Sequence, residues 1–334
     1  MTAAGTSRPG ETGTVPSSDP SPPSPLILLE WRGPVAVLTL NNPPVNVLTT
    51  PLLDELGRRV LELSRNHRVR ALVITGSGER AFSGGASVRE MVSMTRAEGA
   101  RHSAKGQAIT LLLEGAPFPV IAAVRGFCVG GGCEMVQACD FIIASDDASF
   151  GQPEINIGEV PGWGGSTRLP RTIGPVRARR WIMTGEKVSA AQALEDGFLD
   201  RVVPAADVLQ TAVDFGTTLA SKPAEALAAS KYLINRTVDP DRARGLDYER
   251  WLWGLLFETP GQREGMRAFL EKRSAVFPLE RRSAGEMPAF PWEALPQGVR
   301  RARSRKTGRR RHRSRTSRAR RVPARGRASP VSKK

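Results

Sequence analysis

The stretch GGGCEMVQACDFIIASDDASFGQPE, residues 130–154, sets the terms for the rest of the chain. Three adjacent glycines, Gly130, Gly131 and Gly132, stand just before Cys133-Glu134-Met135-Val136-Gln137-Ala138, a run with helical character. Glycine has no Cβ and accepts a positive φ, so the backbone there can approach a ligand closely. The first N–H groups of a helix have no intrahelical acceptor and sit at the positive end of its dipole. Such a nest suits an oxygen that gains negative charge, for example a thioester carbonyl turning into an enolate. An ordinary helix start, with glycines for close packing, is the competing reading of the triplet alone. The apolar strand Phe141-Ile142-Ile143-Ala144 follows, and Gly151-Gln152-Pro153-Glu154 adds a second carboxylate to that of Glu134.

Working outward, the order of apolar strand, glycine loop and helix occurs twice. Ala71-Leu72-Val73-Ile74-Thr75-Gly76 reads as a strand covered on both faces, followed by a loop with Gly84 and Gly85 and a helical stretch to about Glu114. Val120-Ile121-Ala122-Ala123-Val124 is a second buried strand leading through Gly126 into the nest. Two loops of one kind are expected to face each other across a pocket. Further upstream, residues 26–31 and 35–40 read as strands around Arg32-Gly33-Pro34, and Thr50 and Pro51 open a helix reaching about Asn66. Downstream, residues 155–169 are glycine-rich and tightly turned, with Ser166 or Thr167 as a helix cap. Trp163 in this loop either walls an acyl site or fills core. Residues 176–183, 189–195, 204–220, 223–237, 241–258 and 261–271 read as helices, with a short strand at 200–203. The chain turns nearly all-helical near residue 205, and such helices either dock on another subunit or cover their own domain.

The net charge of +16 is unevenly placed. From Arg300 to the last residue, Lys334, there are 17 Lys and Arg and no acids, leaving 32 basic against 33 acidic residues in positions 1–299. That tail cannot bury enough apolar surface to offset its ordering entropy, so disorder is expected over 279–334, as it is over the Pro-, Ser-, Thr- and Gly-rich extension at 1–25. It either contacts nucleic acid by neutralising phosphates or is an extension without function, and no aromatic residue interleaves its charges for base stacking. Cys128, Cys133 and Cys139 are odd in number and closely spaced in apolar surroundings, which fits reduced cytoplasmic thiols better than disulfides or zinc. A nucleophilic thiol at Cys133 has no histidine near it in sequence. The chain has only His67, His102 and His312 from which to build a triad or metal site, so no metal is expected. Residues 1–25 carry no apolar signal segment, and the apolar stretch around 109–124 is broken by Glu114, Gly115, Pro117 and Pro119, so no membrane span is expected.

An ordered set of motifs over residues 26–278 resembles the enoyl-CoA hydratase/isomerase (crotonase) superfamily. It comprises Asn42-Pro43-Pro44-Val45-Asn46-Val47-Leu48, Ala81-Phe82-Ser83-Gly84-Gly85-Ala86, Gly126-Phe127-Cys128-Val129-Gly130-Gly131-Gly132-Cys133-Glu134 and Phe150-Gly151-Gln152-Pro153-Glu154. Pro161-Gly162-Trp163-Gly164-Gly165 and a late Glu264-Gly265-Met266-Arg267-Ala268-Phe269-Leu270-Glu271-Lys272-Arg273 complete it. The resemblance implies an α/β fold: a spiral of ββα repeats over residues 26–204, a helical trimerisation region at 205–278, and assembly as a trimer or a dimer of trimers. It puts the oxyanion hole on the backbone N–H groups of Ala86 and Gly131. Coenzyme A, part of the substrate and not a cofactor, is implied to run along Val45 to Val47 and Ser83 to Val88, including Gly85 and Ser87. Pro153, Pro161, Gly162 and Trp163 join the substrate-binding set, and Phe269 and Lys272 match positions that reach the nucleotide end, from the same or a neighbouring subunit. Relatives that hydrate 2-enoyl thioesters keep both glutamates, as this chain does, whereas isomerases often rely on one. Two carboxylates in a poorly solvated pocket can divide the work, Glu134 taking the water and Glu154 the C2 proton. Ser87 stands where many relatives have aspartate, which leaves a helix cap but puts the standard short-chain substrate in doubt.

Overall fold

A computed structural model describes residues 25–237, 242–257 and 259–278. The expectations for residues 1–24 and 279–299 and for the basic tail from Arg300 to Lys334 lie outside the described residues.

Strands β1 (Ile27–Arg32) and β2 (Val35–Leu40) form an antiparallel hairpin. Helix α1 (Thr50–Arg65) follows, and Thr49, one residue before the expected cap, accepts from Leu52 N–H. Its stripe of Leu52, Leu53, Leu56, Val60 and Leu63 is buried, each side chain contributing roughly 1.5–3 kcal/mol by burial. Three strand pairs then succeed one another: β3 (Ala71–Gly76) and β4 (Ala81–Ser83), β5 (Val120–Val124) and β6 (Phe127–Val129), β7 (Phe141–Ser145) and β8 (Ser149–Gly151). Between the pairs lie α2 (Val88–Met91) and α3 (Arg96–Glu114), then α4 (Gly131–Val136). After β8 come a 3-10 turn (Pro153–Ile157), α5 (Gly165–Thr184), β9 (Val188–Ser189), α6 (Ala190–Glu195) and β10 (Arg201–Val203).

Each pair turns a corner, giving its first strand to one sheet and its second to another. The large sheet has the order β1-β2-β3-β5-β7-β10 and is parallel beyond the β1–β2 hairpin; the small sheet is β4-β6-β8-β9. This is a spiral of ββα units. The large sheet is covered on both faces, which is why its strands read as unbroken apolar runs. Leu38, Leu72, Ile74 and Ala122 face the larger core with α1, while Val37, Val73, Ile121 and Ile143 meet Val208, Ala212 and Val213 of helix α7 (Val208–Ala220).

Helix α7 therefore covers the sheet of its own chain. Helices α8 (Ala224–Thr237), α9 (Arg242–Leu256) and α10 (Pro260–Leu270) complete the described part. Buried Arg70 donates to the carbonyls of Lys222 and Pro278, and buried Lys231 of α8 pairs with Asp140 at 2.7 Å, tying these later segments to the sheet.

Three local expectations change. The long helical stretch before Glu114 is interrupted: Thr95 and Glu98 form a capping box that starts α3 afresh. The cap of α5 is Gly164, with no side-chain cap bond; Ser166 donates instead to Pro161 O and Thr167 to Gly164 O. That helix begins at Gly165, and kinks at Gly174, where φ is +78°, ahead of Pro175. Strands β4, β6, β8 and β9 have no counterpart among the expected elements, Ser189 of β9 falling in the helix expected over 189–195, since two or three residues carry no legible period.

Candidate active site

The glycine triplet and the loop after β4 abut, and their sequences dictate it. Asn46, fully buried with φ +49°, donates to Ser77 O and Ala81 O, and its own carbonyl accepts from Ser83 Oγ. Gly84 N–H donates to Val45 O at 2.7 Å, and a one-residue bridge joins Leu48 to Ala86. That bridge uses Leu48 N–H to Gly85 O and Ser87 N–H to Leu48 O, leaving the Ala86 N–H outside the ladder. Across from it, a β-carbon on Gly85 would lie 3.4 Å from Gly131 N. Gly131 opens α4, so its N–H has no intrahelical acceptor.

Close approach explains the triplet. Gly130 takes φ +54°; a β-carbon on Gly131 would lie 2.6 Å from the Trp163 ring, and one on Gly132 would lie 2.7 Å from Ser83 Cβ. Trp163 performs both tasks that the sequence leaves open: it is 4% exposed within the larger core, and its face walls a cavity of about 570 Å³.

That one cavity is lined by Ala86, Gly131, Glu134 and Glu154 together. Glu134, on the first turn of α4, is 2% exposed, and its Oε1 accepts from Trp163 N–H at 2.7 Å and Gly165 N–H at 2.8 Å. Burial raises its proton affinity, opposed by those peptide donors and by the Arg168 charge. Glu154 stands on the 3-10 turn, half-buried, with Oε1 3.3 Å from the β position of Gly130. Its carboxyl is pushed up to about 7 by burial, with the Glu134 charge adding to the rise. The amide orientation of fully buried Gln152 that satisfies its neighbours puts its nitrogen 3.0 and 3.2 Å from the two Glu154 oxygens and lets its oxygen accept from Gln137 at 2.7 Å.

Gly85, Val88, Pro153, Gly162 and Trp163 also border this cavity. Val45, Val47, Ser83, Ser87, Pro161, Phe269 and Lys272 do not. Ser83 is buried, donating to Asn46 O and accepting from Gly85 N–H, so its hydroxyl serves the loop and not a ligand. Ser87 caps α2 by accepting from Glu90 N–H. Val45 and Val47 offer half-exposed flanks beside the loop. Phe269 is 82% exposed near the end of α10, and Lys272 follows that end with φ +55°.

Two residues on the site escape sequence reading. Gln152 shows no signal beyond its place between Gly151 and Pro153. His102, on α3, lines the cavity, lies 5.7 Å from the Trp163 ring, and has a buried Nε2 with no partner. Burial lowers its proton affinity. The thiol reading fails: Cys133 is fully buried and pushed up to about 12, and burial raises Cys128 and Cys139 as well. Among the described residues no group of three or more His, Cys, Asp or Glu could hold a metal ion, and no helix is long and apolar enough to cross a membrane.

Comparison with known proteins agrees with this geometry. Residues 30–279 match the enoyl-CoA hydratase/isomerase family. A probable enoyl-CoA hydratase of Mycobacterium tuberculosis is 41% identical over 252 residues, 75% of this chain and 97% of that protein. A short-chain-enoyl-CoA hydratase of Clostridium acetobutylicum is 38% identical over 248 residues, 74% of this chain and 95% of that protein. A crystal structure of an enoyl-CoA hydratase from Geobacillus kaustophilus superposes with a TM-score of 0.72 at 37% identity, covering 76% of this chain and 98% of that one. With both loops, both glutamates and the ββα spiral in place, the chain belongs to the enoyl-CoA hydratase/isomerase family.

Proposed function

We infer that the protein is an enoyl-CoA hydratase, adding water across the C2–C3 double bond of a 2-enoyl-CoA thioester or removing it in reverse. The observation that carries this reading is the pair of unlike glutamates on one cavity beside two backbone donors. The thioester oxygen is held by Ala86 and Gly131 N–H, which stabilise it most as it becomes enolate-like. Glu134, tied through Oε1, uses its other oxygen to orient water at C3 and take its proton. Glu154, protonated near neutrality, gives its proton to C2. Both carboxyls line the same cavity, and the addition proposed is syn, with water and proton delivered to one face of the double bond. Water addition leaves the overall oxidation state unchanged, so no redox cofactor is required.

The acyl chain lies along Met91, Met94 and Val160 of the cavity wall, and coenzyme A leaves past Val88 and the half-exposed Val45 and Val47. The assembly proposed is a trimer or a dimer of trimers. Its support is the apolar surface on the last helices, with Trp253 62%, Phe269 82% and Leu270 79% exposed, which also offers Phe269 and Lys272 to a neighbouring subunit's nucleotide. A cytoplasmic setting is supported by three unpaired thiols.

The test is hydration of crotonyl-CoA in oxygen-labelled water, with loss of the conjugated thioester absorbance and label at C3. A shifted double bond without label would replace hydration by isomerisation. Glu134→Gln and Glu154→Gln are each expected to abolish turnover while CoA-ester binding persists; full activity in both would refute the assignment.

A further inference from the structure

We propose that Arg168 is the positioning residue for Glu134, holding the peptides that hold the carboxylate. The guanidinium, on the first turn of α5, is committed on all three nitrogens: Nε to Glu114 Oε1 at 2.5 Å, Nη1 to Trp163 O at 2.9 Å and Nη2 to Thr110 Oγ1 at 3.1 Å. Thr110 Oγ1 lies within hydrogen-bond distance of both Gln107 O, at 3.0 Å, and Trp163 O, at 3.2 Å. One residue, Trp163, thus has its carbonyl gripped from outside and gives its N–H to Glu134 inside. Gly164 lies under the clamp. A β-carbon there would sit 1.8 Å from Nη1, so only glycine lets the guanidinium lie against the loop whose ends donate to the carboxylate.

The anchor at the far end is rigid. Glu114 and Thr110 belong to α3, whose last turn is fixed by Lys231 Nζ donating to Leu113 O at 2.7 Å and Phe118 O at 3.2 Å while paired with Asp140. A line of charge-assisted contacts therefore runs from the buried Lys231 across α3 to Arg168 and on to the base. The planar fork suits this better than a lysine point charge. The titratable and charged groups that share the cavity with Glu134 are Glu154 from the 3-10 turn, Glu159 just after it, and Arg96 and His102 from α3; the Cys133 thiol lies beside it on α4 and Arg168 behind it on α5. Arg168 is the cation whose charge favours the ionised base.

The inference rests on the hydratase reading for its kinetic test but has a readout independent of it. In Arg168→Met, kcat for crotonyl-CoA is expected to fall about tenfold or more through misplacement of the base, with KM little changed. The acid limb of the pH profile is expected to move up by about half a unit to one unit, because the neighbouring cation no longer favours ionised Glu134. Arg168→Lys keeps the charge and loses the fork, so its acid limb stays near the wild-type position while kcat remains reduced. NMR titration of the Glu134 carboxyl carbon, assigned by its loss in Glu134→Gln, reads the same displacement without substrate and separates this inference from the functional one. An unmoved carboxyl titration in Arg168→Met would overturn it. If Arg168→Met does not fold, wild-type kcat in Arg168→Lys overturns it equally.

Discussion

Replacing Glu154 by glutamine should abolish turnover and at the same time stabilise the folded protein at alkaline pH. In the native protein the carboxyl is raised from its ordinary 4.5 to about 7. At about 1.4 kcal/mol per pH unit, ionising it in the folded state costs about 3 kcal/mol; its partial exposure to the cavity reduces this to about 1–3 kcal/mol. The sign follows from linkage. A group whose folded value is raised contributes fully below its unfolded value near 4.5, and that contribution is lost as pH rises through 7. Glutamine, neutral throughout, escapes the loss. Denaturant unfolding at pH 5, 7 and 9 should therefore show little difference between the two proteins at pH 5 and a growing advantage for Glu154→Gln at pH 9. The same ionisation removes the proton meant for C2, so wild-type hydration should fall above about pH 7 with the same midpoint. A stability difference that is constant with pH, or that favours wild type at pH 9, would refute the reasoning.

Gly131→Ala forces a β-carbon to within 2.6 Å of a Trp163 ring that is itself 4% exposed in the core. Overpacking of this kind costs about 1–3 kcal/mol of stability, and displacing one oxyanion donor costs about a hundredfold or more in kcat, measured by thermal unfolding and crotonyl-CoA turnover. With Cys133 pushed up to about 12, only about one thiol in ten thousand is ionised at pH 8, so iodoacetamide should leave activity intact; rapid inactivation in step with Cys133 labelling would restore the thiol mechanism. Ser87→Ala removes the cap of α2 and is expected to cost about 1 kcal/mol in unfolding free energy, whereas Ser87→Asp should retain it.

What could be read from the sequence depended on how local its cause was. Strands β3, β5 and β7 are apolar on every inward position of both faces, so Ala71 to Ile74 and Val120 to Val124 declare themselves. Strands β4, β6, β8 and β9 are held by pairing with residues dozens of positions away, and nothing within Ala81–Ser83 records it. The start of α5 was hidden by Pro170 and Pro175, which the Gly174 kink accommodates. The two glutamates stood out because a carboxylate amid glycine and apolar neighbours is out of place there. Gln152, His102 and Arg168 did not, since each is ordinary where it stands and acquires its role only through distant partners, as Arg168 does from Thr110, 58 residues earlier.

Two carboxyls that share a cavity are useful only if their environments differ. Glu134 receives two peptide N–H donors and a nearby cation, which favour its charge; Glu154 has a peptide N–H and the Gln152 amide, but burial and its neighbour's negative charge outweigh them. The division runs through Trp163. Its ring fixes how close Gly131 can come, its N–H holds the base, and its carbonyl is held by Arg168. On the proposed reading, in which Gly131 N–H is an oxyanion donor and Glu134 the base, both are set by one indole and its own peptide groups, so the distance between them is tied to the core in which that indole is packed.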